Sequence, residues 1–371
     1  MTALRIAIVG PLAPPSGGMA NQTCQLAGLL RQEGIYVEVV QVNMPYWPAW
    51  TGRIPILRAP FRLVPYLLRL WRTAGRVQIF HVMANSGWSW HLFVAPAVWL
   101  GRFRGARVVI NYRGGEAETF FAKSFFWVRP TLLAADQIVV PSDFLAEVFG
   151  KRNVATTIIP NIVNLSLFSP GDRSERSTVN APRLVVARNL EAIYDISTAL
   201  RAFALLLSTF PDARLTVAGS GPERNALEAL AREIGVAEAV SFTGRLDNAD
   251  MAALYRSADM VINPSRVDNM PNSLLEALAS GVPVVSTNVG GVPYIVQDGK
   301  SALLVPPGNP QAMAAAITKL LSEPALAQNL VRTGLLSVQR YAWPKVREQW
   351  LSAYQSLTNA AFPSSEKRVS P

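Results

Sequence analysis

The sequence has few residues that could cross-link a fold or hold a metal ion. Its 371 residues include a single cysteine, Cys24, so an intramolecular disulfide is excluded, and we expect a reducing compartment. The two histidines, His81 and His91, form no zinc-binding spacing with it. We therefore predict no metal site and no cofactor, and we interpret Cys24 as a small buried packing residue.

Long apolar runs are lacking as well. The best candidate, Trp88–Leu100, falls short of the roughly 18 apolar residues that a membrane-spanning helix needs. The opening run Arg5–Gly10 breaks at Gly10-Pro11, too early for the hydrophobic region of a signal peptide. Half of the residues are hydrophobic and 16% are charged, which is typical of a globular protein. We expect a cytoplasmic protein that at most binds peripherally to the inner face of the plasma membrane.

Acidic residues are missing from one long stretch. Between Val39 and Gly115 there is no Asp or Glu, whereas the same stretch holds ten arginines. Residues 1–170 carry 16 Lys and Arg against 7 Asp and Glu, so they account for nearly all of the net charge of +10. A basic face on one half of the chain predicts an anionic partner.

The region Arg53–Arg76 mixes arginines with large apolar and aromatic residues. This pattern is typical of segments that lie on anionic lipid, and it predicts docking on a membrane surface. The alternative is an ordinary helix with a solvated arginine face. Prolines at positions 55, 60 and 65 argue against one long helix. No nucleic-acid-binding motif accompanies the arginines, so we expect no nucleic-acid partner.

What is present is a repeated alternation of strands and helices. A strand over 4–9, a glycine loop, a helix over 19–32 and a strand over 36–42 form a βαβ unit, which predicts a parallel sheet. The same alternation restarts with a strand at about 182. The sequence therefore predicts an α/β protein with two doubly wound domains, a length that 371 residues suit.

The predicted domains are residues 1–168 and residues 181–340, separated by the polar linker 172–180. A last helix, over about 343–358, is expected to pack back on the first domain. The tail 362–371 has no apolar pattern, and we expect it to be disordered.

The most informative stretch runs from Asn263 to Val285. A strand ends at Asn263, a loop with two prolines follows, Asn272 or Ser273 can cap the next helix, and Gly281 can end it. In open α/β sheets ligands bind beyond the carboxyl ends of strands, where a helix N-terminus favours a diphosphate. The carboxylates Asp268 and Glu276 flank this corner and suit the recognition of sugar hydroxyls.

The same stretch resembles the retaining glycosyltransferases of family 4, which have the GT-B fold. Their mark is an acidic residue, seven further residues, Glu-Ala, and then Gly-x-Pro-Val-Val. This chain has Asp268, Glu276-Ala277 and Gly281-Val282-Pro283-Val284-Val285. The resemblance spans nearly the whole chain, since it continues at Gly219-Ser220-Gly221-Pro222, Gly290-Gly291-Val292-Pro293 and Ile159-Pro160-Asn161.

The resemblance implies two Rossmann-like domains that face each other across a cleft, with the acceptor on the first and a nucleotide-sugar donor on the second. It also implies sugar transfer with retention and without a metal or other cofactor. The basic first domain suggests a saccharide or polyprenyl-diphosphate-linked acceptor. By the same resemblance, Asp268 binds the donor sugar, Glu276 the ribose and Arg188 the diphosphate. Further donor contacts fall to Gly17, Gly18, Asn269, Met270, Pro271, Asn272, Ser273, Gly244 and Arg245.

This chain departs from the family pattern in three ways. Asp268 stands where the family usually has Glu, and no Lys follows Arg188 within the next few residues. Arg113 stands in Asn111-Tyr112-Arg113-Gly114-Gly115, where many relatives have His-Gly, and we predict that it acts in the active site. The alternative for Arg113 is a structural salt bridge to a nearby glutamate, Glu116 or Glu118. Tyr294, where relatives often have Glu, has no assigned role.

Two other functions stay open at this point. One is a GT-B sugar-nucleotide epimerase, which would need no acceptor. The other is a non-catalytic nucleotide-sugar-binding protein, which the missing Lys and the Asp in place of Glu would favour.

Overall fold

The structure, a computed structural model, describes residues 4–14, 17–45, 55–171 and 181–358, and the side chains of all of these except 55–60. It consists of two compact units, Met1–Ile162 with Val346–Pro371, and Val163–Lys345. The predicted linker 172–180, the predicted disordered tail and Arg53 lie outside the described residues. The functional division into an acceptor domain and a donor domain remains a prediction.

The first unit is an alternation of parallel strands and helices. Within the described residues its elements are β1 (Arg5–Gly10), α1 (Gly18–Gln32), β2 (Tyr36–Gln41), α2 (Pro55–Ala74), β3 (Ile79–Ala84), a π-helical turn (Trp90–Val94), α3 (Ala95–Phe103), β4 (Arg107–Tyr112), α4 (Ala117–Ala134), β5 (Gln137–Val140), α5 (Asp143–Gly150) and β6 (Thr157–Ile158).

The six strands of the first unit form one sheet in the order β2-β1-β3-β4-β5-β6, and every pair is parallel. Strand β3 is buried along its whole length, because helices cover both faces of the sheet. Alternate residues such as Phe80 and Val82 therefore enter one apolar core, while His81 faces the opposite side.

Helix α2 corrects one sequence prediction. The prolines at positions 55, 60 and 65 weakened the expectation of one long helix, but Pro55–Ala74 is a continuous 20-residue helix. Its inner face holds it: Tyr66 and Leu70 are fully buried, and the Tyr66 hydroxyl donates to the Phe93 carbonyl at 2.7 Å. Packing of an amphipathic face thus outweighs the local cost of proline.

The second unit repeats the plan. Its elements are β7 (Arg183–Ala187), α6 (Ile196–Leu206), β8 (Arg214–Ala218), α7 (Arg224–Glu233), β9 (Val240–Gly244), α8 (Asn248–Ser257), β10 (Met260–Asn263), α9 (Asn272–Ala279), β11 (Val284–Thr287), α10 (Val292–Ile295), β12 (Leu303–Val305), α11 (Pro310–Ser322) and α12 (Pro324–Val338). Short polar residues begin several of these helices: Asp247 Oδ1 accepts from the Ala249 amide at 2.8 Å, and Asn309 Oδ1 from the Ala312 amide at 2.9 Å.

The strand order of the second sheet is β12-β11-β10-β7-β8-β9, again parallel throughout. Chain order reverses between β7 and β10, so the loops after these two strands lead to opposite directions. Leu184 and Val186 of β7 pack on one face of the sheet and Val185 on the other, so each face has its own apolar core. The prediction of two doubly wound sheets is confirmed.

Helix α13 (Trp343–Gln355) returns the chain to the first unit. The Arg347 side chain forms an ion pair with Glu33 of α1 at 2.8 Å, and the Trp350 ring lies 4.7 Å from the His81 ring. Trp350 and Tyr354 are fully buried, so this helix completes the core on the His81 side of the sheet.

Some details of the fold were not predicted correctly. The sequence pattern did not predict α12 and β12 as elements of the second unit. The prediction that Cys24 is buried is wrong, since this residue is exposed on α1.

In the described part of the chain, no helix combines the length and the hydropathy of a membrane span.

Candidate functional site

The candidate site lies at the reversal of strand order in the second unit. Arg188 directly follows β7, and the loop 264–271 follows β10 and leads into α9. Because the two loops diverge from adjacent strands, they leave a crevice at the carboxyl edge of the sheet. Asp268, Ser273 and Glu276 all belong to this loop and helix.

Arg188 and Asp268 form a buried ion pair across the crevice. Arg188 Nη2 donates to Asp268 Oδ2, and the two side chains are 10% and 8% exposed. Arg188 Nη1 reaches Ser273 Oγ at 3.4 Å, and the Tyr194 ring lies 4.1 Å from the guanidinium carbon. Arg188 Nε is buried and has no hydrogen-bond partner among the described residues. Asp268, Ser273 and Tyr194 thus fix the guanidinium, and one of its donors is left without a partner among the described residues.

Asp268 is held by its own loop as well. Its Oδ1 accepts from the Asn269 amide at 3.1 Å. Burial raises the pKa of Asp268, and the charge of Arg188 together with hydrogen bonds from Ser265, Asn269 and Asn263 opposes that rise. The Gly291 amide donates to the Asp268 backbone carbonyl at 3.0 Å, so the loop after β11 holds the backbone at Asp268.

Glu276 lies in the second turn of α9. The hydroxyl of Tyr255, a fully buried residue of α8, donates to Glu276 Oε2 at 3.2 Å. Burial raises the pKa of Glu276 to about 7, although the Tyr255 hydrogen bond and the charge of Arg188 act in the opposite direction. The Glu276 carboxyl group therefore gains or loses its proton near a pKa of about 7. Tyr255 is a site residue that the sequence pattern did not predict.

A second ion pair joins the same two loops. Arg266 Nε donates to Asp195 Oδ2 at 2.8 Å, and the Arg266 amide donates to the Ile193 carbonyl at 2.8 Å. Burial raises the pKa of Asp195, but hydrogen bonds from Arg266, Ser197 and Thr198 outweigh it and lower the pKa. The sequence reading also missed this pair, because the partners are far apart along the chain.

A buried polar seam lies beneath the loop. Asn263 Nδ2 donates to Ser286 Oγ at 3.0 Å, and Ser265 Oγ donates to Asn263 Oδ1 at 2.8 Å. Thr287 Oγ1 donates to the Ser265 carbonyl at 2.6 Å. These bonds satisfy buried polar groups and fix the path of the loop as it leaves β10.

The start of α9 differs from the expectation. Pro271, rather than Asn272 or Ser273, is the N-cap residue, and its side chain makes no capping hydrogen bond. Pro271 has no amide hydrogen, so it cannot donate to a phosphate, which removes it from the predicted amide donors. Gly281 does end the helix as predicted, at φ +64°, with its amide bonded to the Leu278 carbonyl at 3.2 Å.

The other predicted donor contacts are spread over both units. Gly244 ends β9 at φ +73°, and its carbonyl accepts from the Gly219 amide at 2.8 Å, next to the Arg188 loop. Arg245 is exposed. Gly17 and Gly18, at the start of α1, belong to the first unit, as does Arg113.

Arg113 follows β4, and its Nε donates to Asn111 Oδ1 at 2.7 Å. The alternative of a salt bridge to Glu116 or Glu118 is wrong, since Arg113 makes no ion pair within the described part of the chain and Glu118 pairs with Lys151 at 3.4 Å. Tyr294 is 38% exposed on α10, and its carbonyl accepts from Arg340 at 2.9 Å.

Each half of the chain matches the model of a known protein family. Residues 16–167 match the family model described as Glycosyltransferase Family 4, and residues 172–336 match Glycosyl transferases group 1. The two matches together span both structural units.

Several curated proteins are similar in sequence. A D-inositol 3-phosphate glycosyltransferase of Corynebacterium urealyticum is 31% identical over 244 residues, which is 60% of this chain and 57% of that protein. A protein of the same name from Acidothermus cellulolyticus is 34% identical over 60% of this chain and 53% of its own length. The match thus spans little more than half of these two relatives. A phosphatidyl-myo-inositol mannosyltransferase of Mycobacterium leprae is 27% identical over 95% of this chain and 97% of its own.

Solved structures share the fold. Sucrose-phosphate synthase of Thermosynechococcus elongatus superimposes with a TM-score of 0.76 at 22% identity, over 96% of this chain and all of that chain. HepE of Anabaena in complex with UDP-glucose gives a TM-score of 0.73 at 16% identity, over 95% of this chain and all of that one. These similarities show the fold alone, which is the predicted GT-B fold.

The raised pKa of Glu276 predicts a pH-dependent stability. The folded protein holds this proton up to a pKa of about 7, whereas the unfolded chain releases it near 4.5, so the free energy of unfolding falls as pH rises between these values. Glu276→Gln removes this term. Relative to wild type, the free energy of unfolding of the variant should rise by on the order of 2 kcal/mol from pH 5 to pH 8. Its melting temperature relative to wild type should rise over the same range.

The matched control for Glu276→Gln is Glu233→Gln, an exposed carboxylate on α7. It should change the melting temperature equally at both pH values. A difference between Glu276→Gln and wild type that stays constant from pH 5 to pH 8 would contradict the buried, proton-binding carboxyl.

Close backbone approach predicts opposite results at two glycines. A Cβ at position 291 would lie 1.7 Å from the Asn269 carbonyl oxygen, so Gly291→Ala must push the Asp268 loop aside and should lower stability by roughly 1–3 kcal/mol. A Cβ at Gly17 meets nothing within 4 Å, and its φ of −166° suits any residue. Gly17→Ala should leave urea unfolding unchanged, and an equal loss in both variants would refute the packing argument.

Proposed function

Because the chain belongs to the GT4-type glycosyltransferases of GT-B fold, we propose that it transfers a sugar from a nucleotide-diphosphate donor to a hydroxyl of an acceptor. In this reaction the bond between the anomeric carbon and the diphosphate breaks, and a bond to the acceptor oxygen forms. The acceptor proton leaves with the diphosphate. We propose retention of the anomeric configuration and independence of metal, as the resemblance implies.

The observation that carries this proposal is the Arg188–Asp268 pair at the switch point of the second sheet. Arg188 supplies a fixed positive charge to the leaving diphosphate, and the N-terminus of α9 adds a partial positive charge beside it. Because no Lys follows Arg188 in the loop after β7, this arginine is the cation of that loop. Fixed positive groups where negative charge develops stabilise the transition state.

The two carboxylates take the polyol parts of the donor in this proposal. Asp268 accepts from hydroxyls of the sugar, and Glu276, oriented by Tyr255, accepts from the ribose. Met270 and Asn269 are buried with the loop, so their contribution comes from the backbone rather than from mobile side chains. Titration of Glu276 near neutrality makes donor affinity rise with pH until the carboxylate is fully ionised.

We propose a saccharide or lipid-linked acceptor on the basic first unit, in cell-surface polysaccharide or glycolipid assembly. The names of two relatives point in this direction, since one acts on inositol 3-phosphate and the other on phosphatidyl-myo-inositol. An acceptor that carries phosphate suits a region with 16 Lys and Arg against 7 Asp and Glu.

A donor screen tests the proposed function. UDP-, GDP-, dTDP- and ADP-sugars are added in the presence of EDTA, and one nucleotide series should raise the melting temperature by several degrees at a hundredfold excess over its Kd. Glu276→Ala should abolish that rise, whereas the control Glu233→Ala should keep it. Transfer to an acceptor mixture should then give a product with the donor's anomeric configuration.

Other results of the screen identify the rival functions. Donor binding with release of free nucleotide and an altered sugar, without any acceptor, indicates an epimerase. Donor binding without turnover in either assay indicates a non-catalytic binding protein. Donor binding that survives Glu276→Ala refutes the site itself.

We also propose that α2 and α3 dock the protein on anionic lipid. Phe61, Val64, Leu68 and Trp71 of α2 are between 39% and 54% exposed, and Arg69 and Arg72 stand among them. Phe103 of α3 is 76% exposed and lies 5.7 Å from the Trp71 ring. Exposed aromatic rings between arginines match the interfacial zone of an anionic bilayer.

Vesicle sedimentation tests the docking surface. Wild type should sediment with vesicles that contain phosphatidylserine and not with pure phosphatidylcholine, and high salt should release it. The double variant Trp71→Ser/Phe103→Ser should lose most of the binding. Leu336→Ser, at an exposed leucine of α12 in the second unit, is the control and should bind normally. Equal recovery on both vesicle types would overturn the proposal.

A further inference from the structure

A chain of four polar side chains crosses the interior of the first unit. The hydroxyl of Tyr354 on α13 lies 2.7 Å from His81 Nδ1, and His81 Nε2 lies 2.9 Å from Asn111 Nδ2. Asn111 Oδ1 accepts from Arg113 Nε at 2.7 Å. Tyr354, His81 and Asn111 are fully buried, so this relay is enclosed by the core and ends at Arg113, just beyond β4.

The donors and acceptors of the relay fix its protonation. Arg113 only donates, so the oxygen of the Asn111 amide must face it, and the amide nitrogen then faces His81. His81 Nε2 must therefore carry a lone pair, which places the proton on Nδ1, where it donates to the Tyr354 hydroxyl oxygen. Burial, followed by the charge of Arg113, lowers the pKa of His81 to about 3, so the ring stays neutral.

Packing holds the inner end of this relay. The Trp350 ring lies 4.7 Å from the His81 ring and is stacked with Tyr354 at 5.6 Å. Since Trp350 and Tyr354 both belong to α13, the helix sets the position of the hydroxyl that receives the His81 proton. A continuous series of hydrogen bonds thus joins α13 to the side chain of Arg113.

Arg113 itself lacks a counter-ion among the described residues. Its Nη1 is buried without a hydrogen-bond partner there, and its Nε is committed to Asn111. Burial lowers the pKa of Arg113 to about 9, which still leaves the guanidinium charged at neutral pH. A shielded cation with an unused donor is costly unless a ligand supplies the anion.

We propose that Tyr354, His81 and Asn111 are positioning residues that hold Arg113 ready to bind a phosphate oxygen of the substrate. The proposal rests on the proposed function only for the identity of that substrate. The phosphate belongs either to the leaving nucleoside diphosphate or to a diphosphate-bearing acceptor, and both offer the same chemistry to a guanidinium.

The relay can be tested without an activity assay, because the chain has only two histidines. In protein labelled with ¹⁵N-histidine, His91→Gln assigns the two sets of ring signals. The His81 signals should show a neutral ring with the proton on Nδ1, unchanged from pH 5 to pH 8. A proton on Nε2, or titration of His81 in this range, would overturn the relay.

Titration with inorganic pyrophosphate, UDP and farnesyl diphosphate then tests the anion site. Each anion that contacts Arg113 should shift the His81 signals, and Arg113→Gln should weaken its binding roughly tenfold or more. A loss confined to UDP assigns Arg113 to the donor, and a loss confined to farnesyl diphosphate assigns it to the acceptor. Unchanged binding of all three anions in Arg113→Gln would refute the site.

The positioning role has its own variants. Tyr354→Phe keeps the ring but removes the hydroxyl, so anion binding should fall several-fold while the melting curve keeps its shape. Asn111→Asp gives Arg113 a counter-ion within the protein and should weaken the same anions. If Tyr354→Phe and Asn111→Asp both bind anions as wild type does, the relay is only structural. Absence of sugar transfer combined with the expected tautomer and anion binding would refute the proposed function and leave this inference standing.

Discussion

The reversal of strand order between β7 and β10 places two opposite charges beside each other in a protected crevice. Arg188 and Asp268 each depend on the other, because removing either side chain would leave an uncompensated buried charge. The same pair ties the loop after β7 to the loop after β10. The second ion pair, Arg266 with Asp195, and the polar seam beneath Ser265 reinforce this tie. The shape of the candidate site is therefore set before any ligand arrives, which reduces the ordering that binding requires.

The two units hold an arginine at the end of a strand by different kinds of contact. The second unit uses ion pairs and carboxylates at the carboxyl edge of its sheet. Residues 1–170 account for nearly all of the net positive charge of the protein, yet the first unit holds Arg113 through neutral partners, an amide, an imidazole and a phenol. Neutral partners orient a guanidinium without cancelling its charge, and that charge stays available to an anion.

The sequence predicted the plan of the molecule better than its details. Repeated strand-helix alternation was enough for two doubly wound sheets, and the spacing of Asp268 and Glu276 located the carboxyl edge where these two carboxylates lie. Tyr255 escaped notice because its contact with Glu276 joins two helices whose packing no local pattern encodes. The prolines of α2 misled for the opposite reason, since a local penalty was weighed without the buried face that offsets it. Pro271 shows the same limit, because capping residues were expected where a proline begins the helix without a side-chain cap.

The exposure of Cys24 gives the protein a built-in handle for spectroscopy. It is the single thiol of the sequence and lies on the solvent side of α1, so a maleimide dye attaches at one place without prior removal of other cysteines. The helix that carries the dye begins at Gly18, next to Gly17, where an added Cβ would meet open space. Emission from that label would therefore come from one unit alone, and each change in it could be assigned to the environment of a single helix.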